Sequence, residues 1–208
     1  MTSSSTACSN LPSYPESFYC CAGGGLVNGS PLICGGTWVY SCYGFDKSSN
    51  KWKLHLNLNS KRNHHGYTVL KDTLFSTGGW DDSTTLASSD YVYANGTVEI
   101  GPNLPEARDE HCMVTLHDGK VMIIGASTPS SLNKNAMIFD PEDNSYTNGP
   151  SLSFVRQNAA CTLFNSHFHN GRPVVLSAGG WGQISAEVYD YTNANQWQTS
   201  IHLIISNM

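Results

Sequence analysis

A short apolar strand that runs into a pair of small residues is written four times in this chain, and that repetition limits the fold more than any other feature. The copies are Pro31-Leu32-Ile33-Cys34-Gly35-Gly36, Thr73-Leu74-Phe75-Ser76-Thr77-Gly78-Gly79, Val121-Met122-Ile123-Ile124-Gly125-Ala126 and Val174-Val175-Leu176-Ser177-Ala178-Gly179-Gly180. Successive copies lie 43, 47 and 54 residues apart. Fixed periods of this length mark a repeated supersecondary unit that cannot bury its apolar surface alone.

Each copy sits inside the same neighbourhood. Upstream lies another strand, reached through the turns Asn28-Gly29, Lys71-Asp72, Asp118-Gly119 and Asn170-Gly171. Asn-Gly and Asp-Gly suit a two-residue hairpin because its type I′ turn needs positive φ at both central positions; Lys71-Asp72 is the weak copy. Downstream comes a second hairpin whose first strand ends in Tyr43-Gly44-Phe45-Asp46, Tyr91-Val92-Tyr93, Met137-Ile138-Phe139-Asp140 or Val188-Tyr189-Asp190. After a polar turn a large ring follows at Trp52, Tyr146 and Trp197, with Val98 in its place in the second copy. Two hairpins make four antiparallel strands, and one such sheet leaves both faces bare. Sheets of this kind stack face to face as the blades of a β-propeller. The glycine doublets are expected where strands bend and pack too closely for a Cβ.

An independent marker keeps the same period. Arg62, Arg108 and Arg156 precede the second, third and fourth units and are 46 and 48 residues apart. With the doublets Gly35-Gly36, Gly78-Gly79, Gly125-Ala126 and Gly179-Gly180, the aromatic-Asp strand ends and the rings that follow, the chain resembles the kelch-repeat family over residues 11–204. The resemblance implies an all-β, kelch-type β-propeller of about four blades of four antiparallel strands, at 11–57, 58–104, 105–152 and 153–205. It departs at Gly125-Ala126, at Val98, and in the first blade, which has Tyr14-Pro15-Glu16-Ser17-Phe18 where the arginine would stand. Members of the family usually close with five to seven blades, so four suggest part of a larger propeller. Residues 1–10 then read as a tail, the end of a preceding blade.

The function implied is non-enzymatic: a module that binds a protein or peptide through its variable loops. In peptide-binding members, arginines at the position of Arg62, Arg108 and Arg156 contact acidic ligands, for which the guanidinium fork is suited. The competing reading makes them internal salt-bridge formers. Some kelch propellers are copper radical oxidases, and a fragment of such an oxidase or of a carbohydrate-active enzyme is the alternative. That copper chemistry needs two tyrosines, two histidines and a Cys–Tyr crosslink, and no such cluster stands out.

Composition narrows the partners. Charged residues are 13% of the chain and the formal net charge is −5, with no basic run; neither nucleic acid nor a membrane surface is an expected partner. No cofactor or metal is expected either. Adjacent strand residues point to opposite faces, which separates His64 from His65, and no Cys-x-x-Cys pair occurs among the seven cysteines. Cys34 and Cys42 flank a short loop and are candidates for a disulfide; Cys8 could join Cys20 or Cys21, whereas Cys112 and Cys161 read as buried free thiols. Early cysteines and the sequons at Asn28 and Asn95 lean toward an extracellular protein over a cytosolic adaptor.

Overall fold

Among the described residues sixteen strands form in four groups of four, and every sheet follows chain order. The computed structural model describes residues 12–17, 20–193 and 196–200. The tail, Cys8 and the end of the last expected strand lie outside the described residues. The first sheet contains β1 (Gly23–Val27), β2 (Ser30–Cys34), β3 (Ser41–Asp46) and β4 (Lys51–Asn57). The second contains β5 (Gly66–Leu70), β6 (Thr73–Thr77), β7 (Ser89–Tyr93) and β8 (Val98–Gly101). The third is built from β9 (Cys112–Thr115), β10 (Val121–Ile124), β11 (Ala136–Asp140) and β12 (Ser145–Asn148). The fourth has β13 (Ala160–Asn165), β14 (Pro173–Ala178), β15 (Ala186–Tyr189) and β16 (Gln198–Ser200). Neighbouring first strands pack side by side, β1 on β5, β5 on β9 and β9 on β13, so the sheets radiate from a common inner edge. This is an all-β, partial β-propeller.

Three separate cores lie between the four sheets, and the apolar strands are explained by them. Leu74 belongs to the core between the first and second sheets, while its neighbour Phe75 belongs to the next. Along β10, Met122 and Ile124 face the fourth sheet, and Val121 and Ile123 face the second. Successive strand residues point to opposite faces. A strand buried on both sides therefore reads as a continuous apolar run, with each large side chain contributing about 1.5–3 kcal/mol. The expected rings take part: Tyr91, Phe75, Phe139 and Tyr146 stack in sequence across the middle core. Tyr146 Oη and Trp197 Nε1 donate to the carbonyls of Pro102 and Pro150, tying each blade to the crossover that precedes it. In the first sheet Trp52 instead packs against Phe45 and Tyr14, the latter laid over the face that no second sheet covers.

In the first three doublets the first glycine, Gly35, Gly78 or Gly125, packs onto the carbonyl of the arginine that enters the next blade. A Cβ on Gly78 or Gly125 would stand 2.3 or 1.9 Å from the carbonyl oxygen of Arg108 or Arg156. Both glycines also have positive φ, 59° and 72°. Ala126 fits as the second residue of its pair because, unlike Gly36, Gly79 and Gly180, it does not take a positive φ. Doublet and arginine are thus two halves of one inter-blade joint.

Lys71-Asp72, the weak copy, forms the expected turn with both residues left-handed, at φ 44° and 61°. Three other local expectations need correction. The connection at Asp118-Gly119 is longer than two residues: Leu116 N–H bonds Lys120 O, and Gly119 alone is left-handed. Likewise β13 reaches β14 through a 3₁₀ turn, His167–His169, ahead of Asn170-Gly171. Finally, the cysteines expected to remain free at 112 and 161 are joined in a disulfide. They occupy adjacent first strands, β9 and β13, so one repeat of sequence separation becomes a Cα–Cα distance of 6.1 Å. Cys34 and Cys42 also pair, directly across β2 and β3.

Candidate functional site

Antiparallel order sends alternate connections to opposite ends of the sheets. One end gathers the crossovers between blades together with the loops 35–40, 78–88, 125–135 and 179–185. The other gathers the tight hairpin turns. The three arginines sit at the first end, but beneath its surface, each with 0% exposure. Arg62 Nη1 donates to the carbonyls of Gly78 and Ser88 at 2.7 and 3.0 Å, and its Nη2 meets Asp90 Oδ2 at 2.8 Å. Arg156 repeats the pattern, with Gly179 and Ser185 carbonyls both at 2.9 Å and Glu187 Oε2 at 2.9 Å. Gly78 and Ser88 are the two feet of one loop, Gly179 and Ser185 the feet of another. Each arginine is a clamp under a loop. The expectation that these side chains form a ligand-contacting ring is therefore corrected: all three are fully buried, and the terminal nitrogens of Arg62 and Arg156 are spent on partners inside the blade.

Arg108 differs. Its Nη1 reaches only Asn135 Oδ1, at 3.2 Å, and its Nε and Nη2 have no hydrogen-bond partner. The place of Asp90 and Glu187 is taken by Met137, which pairs with Ile123 as Asp90 does with Ser76 and Glu187 with Ser177. Burial draws the Arg108 guanidinium down from its ordinary value to about 10.

Large side chains are exposed on the surface of this end. Trp38 is 70% exposed, Trp181 77% and Ile184 90%, all in the loops of this end. At the opposite end the turns are polar, apart from Phe168 at 92%.

Between the first strands, the same end opens into a cavity of about 390 Å³. Cys21, His64, Glu110 and Asn158 ring its mouth, one from each blade at the same point of the repeat. All four are left-handed, with φ of 69°, 52°, 54° and 54°. Their backbones link the blades, Glu110 N–H to His64 O at 2.7 Å and Asn158 N–H to Glu110 O at 2.9 Å. Below them His65 and His111 are buried; burial chiefly, with Arg62 adding to it, holds His65 neutral with a pKa near about 3. Burial likewise holds His111 well below the usual range, with Arg108 adding to it.

At the rim Cys20 and Cys21 approach His64, which was read from sequence only in relation to His65. His64 Nε2 lies 3.6 Å from Cys20 Sγ and 3.5 Å from Cys21 Sγ, and its Nδ1 is 3.2 Å from Glu110 Oε1. Among the described residues, Cys20, Cys21 and His64 form the group that could hold a metal. Burial and the adjoining Cys20 thiol push the Cys21 thiol up to about 12, which is the reverse of what a thiolate nucleophile needs. Sequence reading missed the group because its members come from separate blades. Its signal was present in the period: Cys21, His64, Glu110 and Asn158 keep the arginine spacing. As for copper radical chemistry, a single tyrosine, Tyr67, lines the cavity among the described residues.

Stacked four-stranded sheets in chain order define a partial β-propeller. Comparison with known proteins agrees. The chain is similar to beta-scruin of Limulus polyphemus, a kelch-repeat protein, at 28% identity over 117 residues. That match covers 52% of this chain and 13% of the relative, so it spans only a small part of that protein. The solved structure of YjhT superimposes with a TM-score of 0.75 over 96% of this chain and 70% of its own, at 15% identity, a likeness of fold alone. No family model matches the sequence.

Proposed function

We propose that this propeller segment is a protein-interaction module whose binding surface is the loop-bearing end around the cavity mouth. The observation that carries the reading is the exposure of Trp181 and Ile184 on a loop clamped from below by Arg156, and of Trp38 on a loop whose feet the Cys34–Cys42 disulfide joins. Aromatic side chains supply most of the energy at protein interfaces. Exposed ones mounted on a stiff scaffold bind with little loss of conformational freedom. Resemblance to a kelch-repeat protein supports the same class. The arginines serve this surface indirectly, as clamps that set loop shape, so the partner is one with an apolar or aromatic anchor, and an acidic ligand loses its original motivation.

Photocrosslinking tests the proposal. A benzoylphenylalanine placed at Trp181 or Trp38 in the source cell is expected to give a discrete protein adduct, and the same probe at Asn95 on the opposite end none. Adducts confined to the Asn95 probe would place the interaction elsewhere.

A further inference from the structure

The rim group Cys20, Cys21, His64 and Glu110 has a geometry that protein interaction does not require. Two neighbouring residues of an extended chain normally point apart. Here Cys21 is left-handed at φ 69°, and that turn of the backbone brings both thiols to one side. Donor atoms of Cys20, Cys21 and His64 all fall within 4.8 Å of one another. A tetrahedral zinc ion with Zn–S of about 2.3 Å and Zn–N of about 2.0 Å holds sulfur and nitrogen about 3.5 Å apart. The observed separations from His64 Nε2 to the two sulfurs are 3.6 and 3.5 Å. The ring's Nδ1 lies 3.2 Å from the Glu110 carboxylate and 3.4 Å from Cys21 Sγ, so Cys21 stands beside both nitrogens and Cys20 beside Nε2. A carboxylate behind a ligating histidine fixes the ring and selects the tautomer that presents the opposite nitrogen to the metal.

We infer that the cavity mouth is a site for a thiophilic divalent ion of the zinc type, bound by Cys20 Sγ, Cys21 Sγ and His64 Nε2, with Glu110 orienting the imidazole. Two thiolates and an imidazole favour zinc over calcium or magnesium, which take oxygen ligands. Binding displaces the proton of each thiol, so two protons leave for each divalent ion taken up. Three protein ligands leave a fourth position open toward the cavity. The ion would bridge the first and second blades, since the cysteines precede β1 and the histidine precedes β5.

Cobalt titration of the full chain, purified with chelator and reductant, tests the assignment. The expected result is one Co²⁺ per chain, with a thiolate-to-cobalt charge-transfer band and intense tetrahedral d–d bands, both abolished by Zn²⁺. Cys20→Ser, Cys21→Ser and His64→Ala are expected to lose the charge-transfer intensity or the stoichiometric binding while keeping the strand-rich circular dichroism. Glu110→Gln is expected to keep the bands with affinity lowered roughly tenfold to a hundredfold. The inference is overturned if the unmodified chain shows no charge-transfer band although thiol titration finds Cys20 and Cys21 free. It is equally overturned if either cysteine proves to be disulfide-bonded, or if the band survives in both serine variants. Should a serine variant fail to fold, zinc-edge absorption on the unmodified chain decides the case by counting two sulfurs and at least one nitrogen.

Discussion

The second and fourth blades seat their arginines in one way and the third in another. Arg62 and Arg156 each hold two loop carbonyls and a buried carboxylate. Arg108 has the same burial without the carboxylate, because Met137 and Ile123 stand where a serine and an acid stand in the other blades. The difference teaches that the arginine's place in the fold and its pairing are separable. Its carbonyl packs on the preceding doublet in every case, and a structure can keep that backbone joint while one guanidinium goes short of partners. It also identifies the loop 125–135 as the one least tightly gripped at its base.

The largest effect should come from the paired arginines. Arg62→Ala or Arg156→Ala strands Asp90 or Glu187 as a buried, unpaired carboxylate, a change that costs about 3–5 kcal/mol in comparable sites. Urea denaturation measures it, and a cost equal to that of Arg108→Ala would erase the distinction between blades. Acid should act next. His65 and His111, which follow Arg62 and Arg108, are neutral when folded, but the unfolded chain protonates them below about pH 6.5. Stability is thus complete above that pH and declines as pH falls toward the folded value of about 3 for His65. The loss amounts to about 2 kcal/mol per imidazole by pH 5. Comparing the chain with a His65→Gln, His111→Gln variant separates this slope from that of the carboxylates. An unchanged slope contradicts the burial assigned to both rings.

A double-mutant cycle sharpens the comparison directly. Met137→Glu restores to the third blade the acid that the others have, and its coupling to Arg108 should be favourable by about 1–3 kcal/mol. A coupling near zero means that the two side chains do not meet. Smallest of all, Arg108→Met should leave stability within about 1 kcal/mol, because a buried charge with few partners contributes little net.

The fold was legible in sequence where chemistry is local. A left-handed turn or a carbonyl pressed against Cα tolerates few residues, so Gly78 and Gly125 repeat visibly, and cores between sheets demand the apolar runs around Leu74 and Met122. The arginines were legible as a period and misleading as a role. A clamp and a ligand contact leave the same spacing, and only the partners distinguish them, Asp90 and Glu187, which lie in the next hairpin. Cys112 and Cys161 were read singly, although they stand four residues after Arg108 and five after Arg156; measured from that marker they fall on neighbouring strands. The rim group was hidden for the same reason, its members being brought together by blade packing alone.

The four left-handed residues at the mouth carry a consequence for how such a surface changes over time. At Cys21, His64, Glu110 and Asn158 the main chain meets the architectural demand through its bent conformation, at His64, Glu110 and Asn158 with bonds from blade to blade as well, while the side chains line the cavity mouth. Chemistry can therefore be rewritten there one blade at a time, thiol for imidazole or carboxylate for amide, without disturbing the scaffold that displays it.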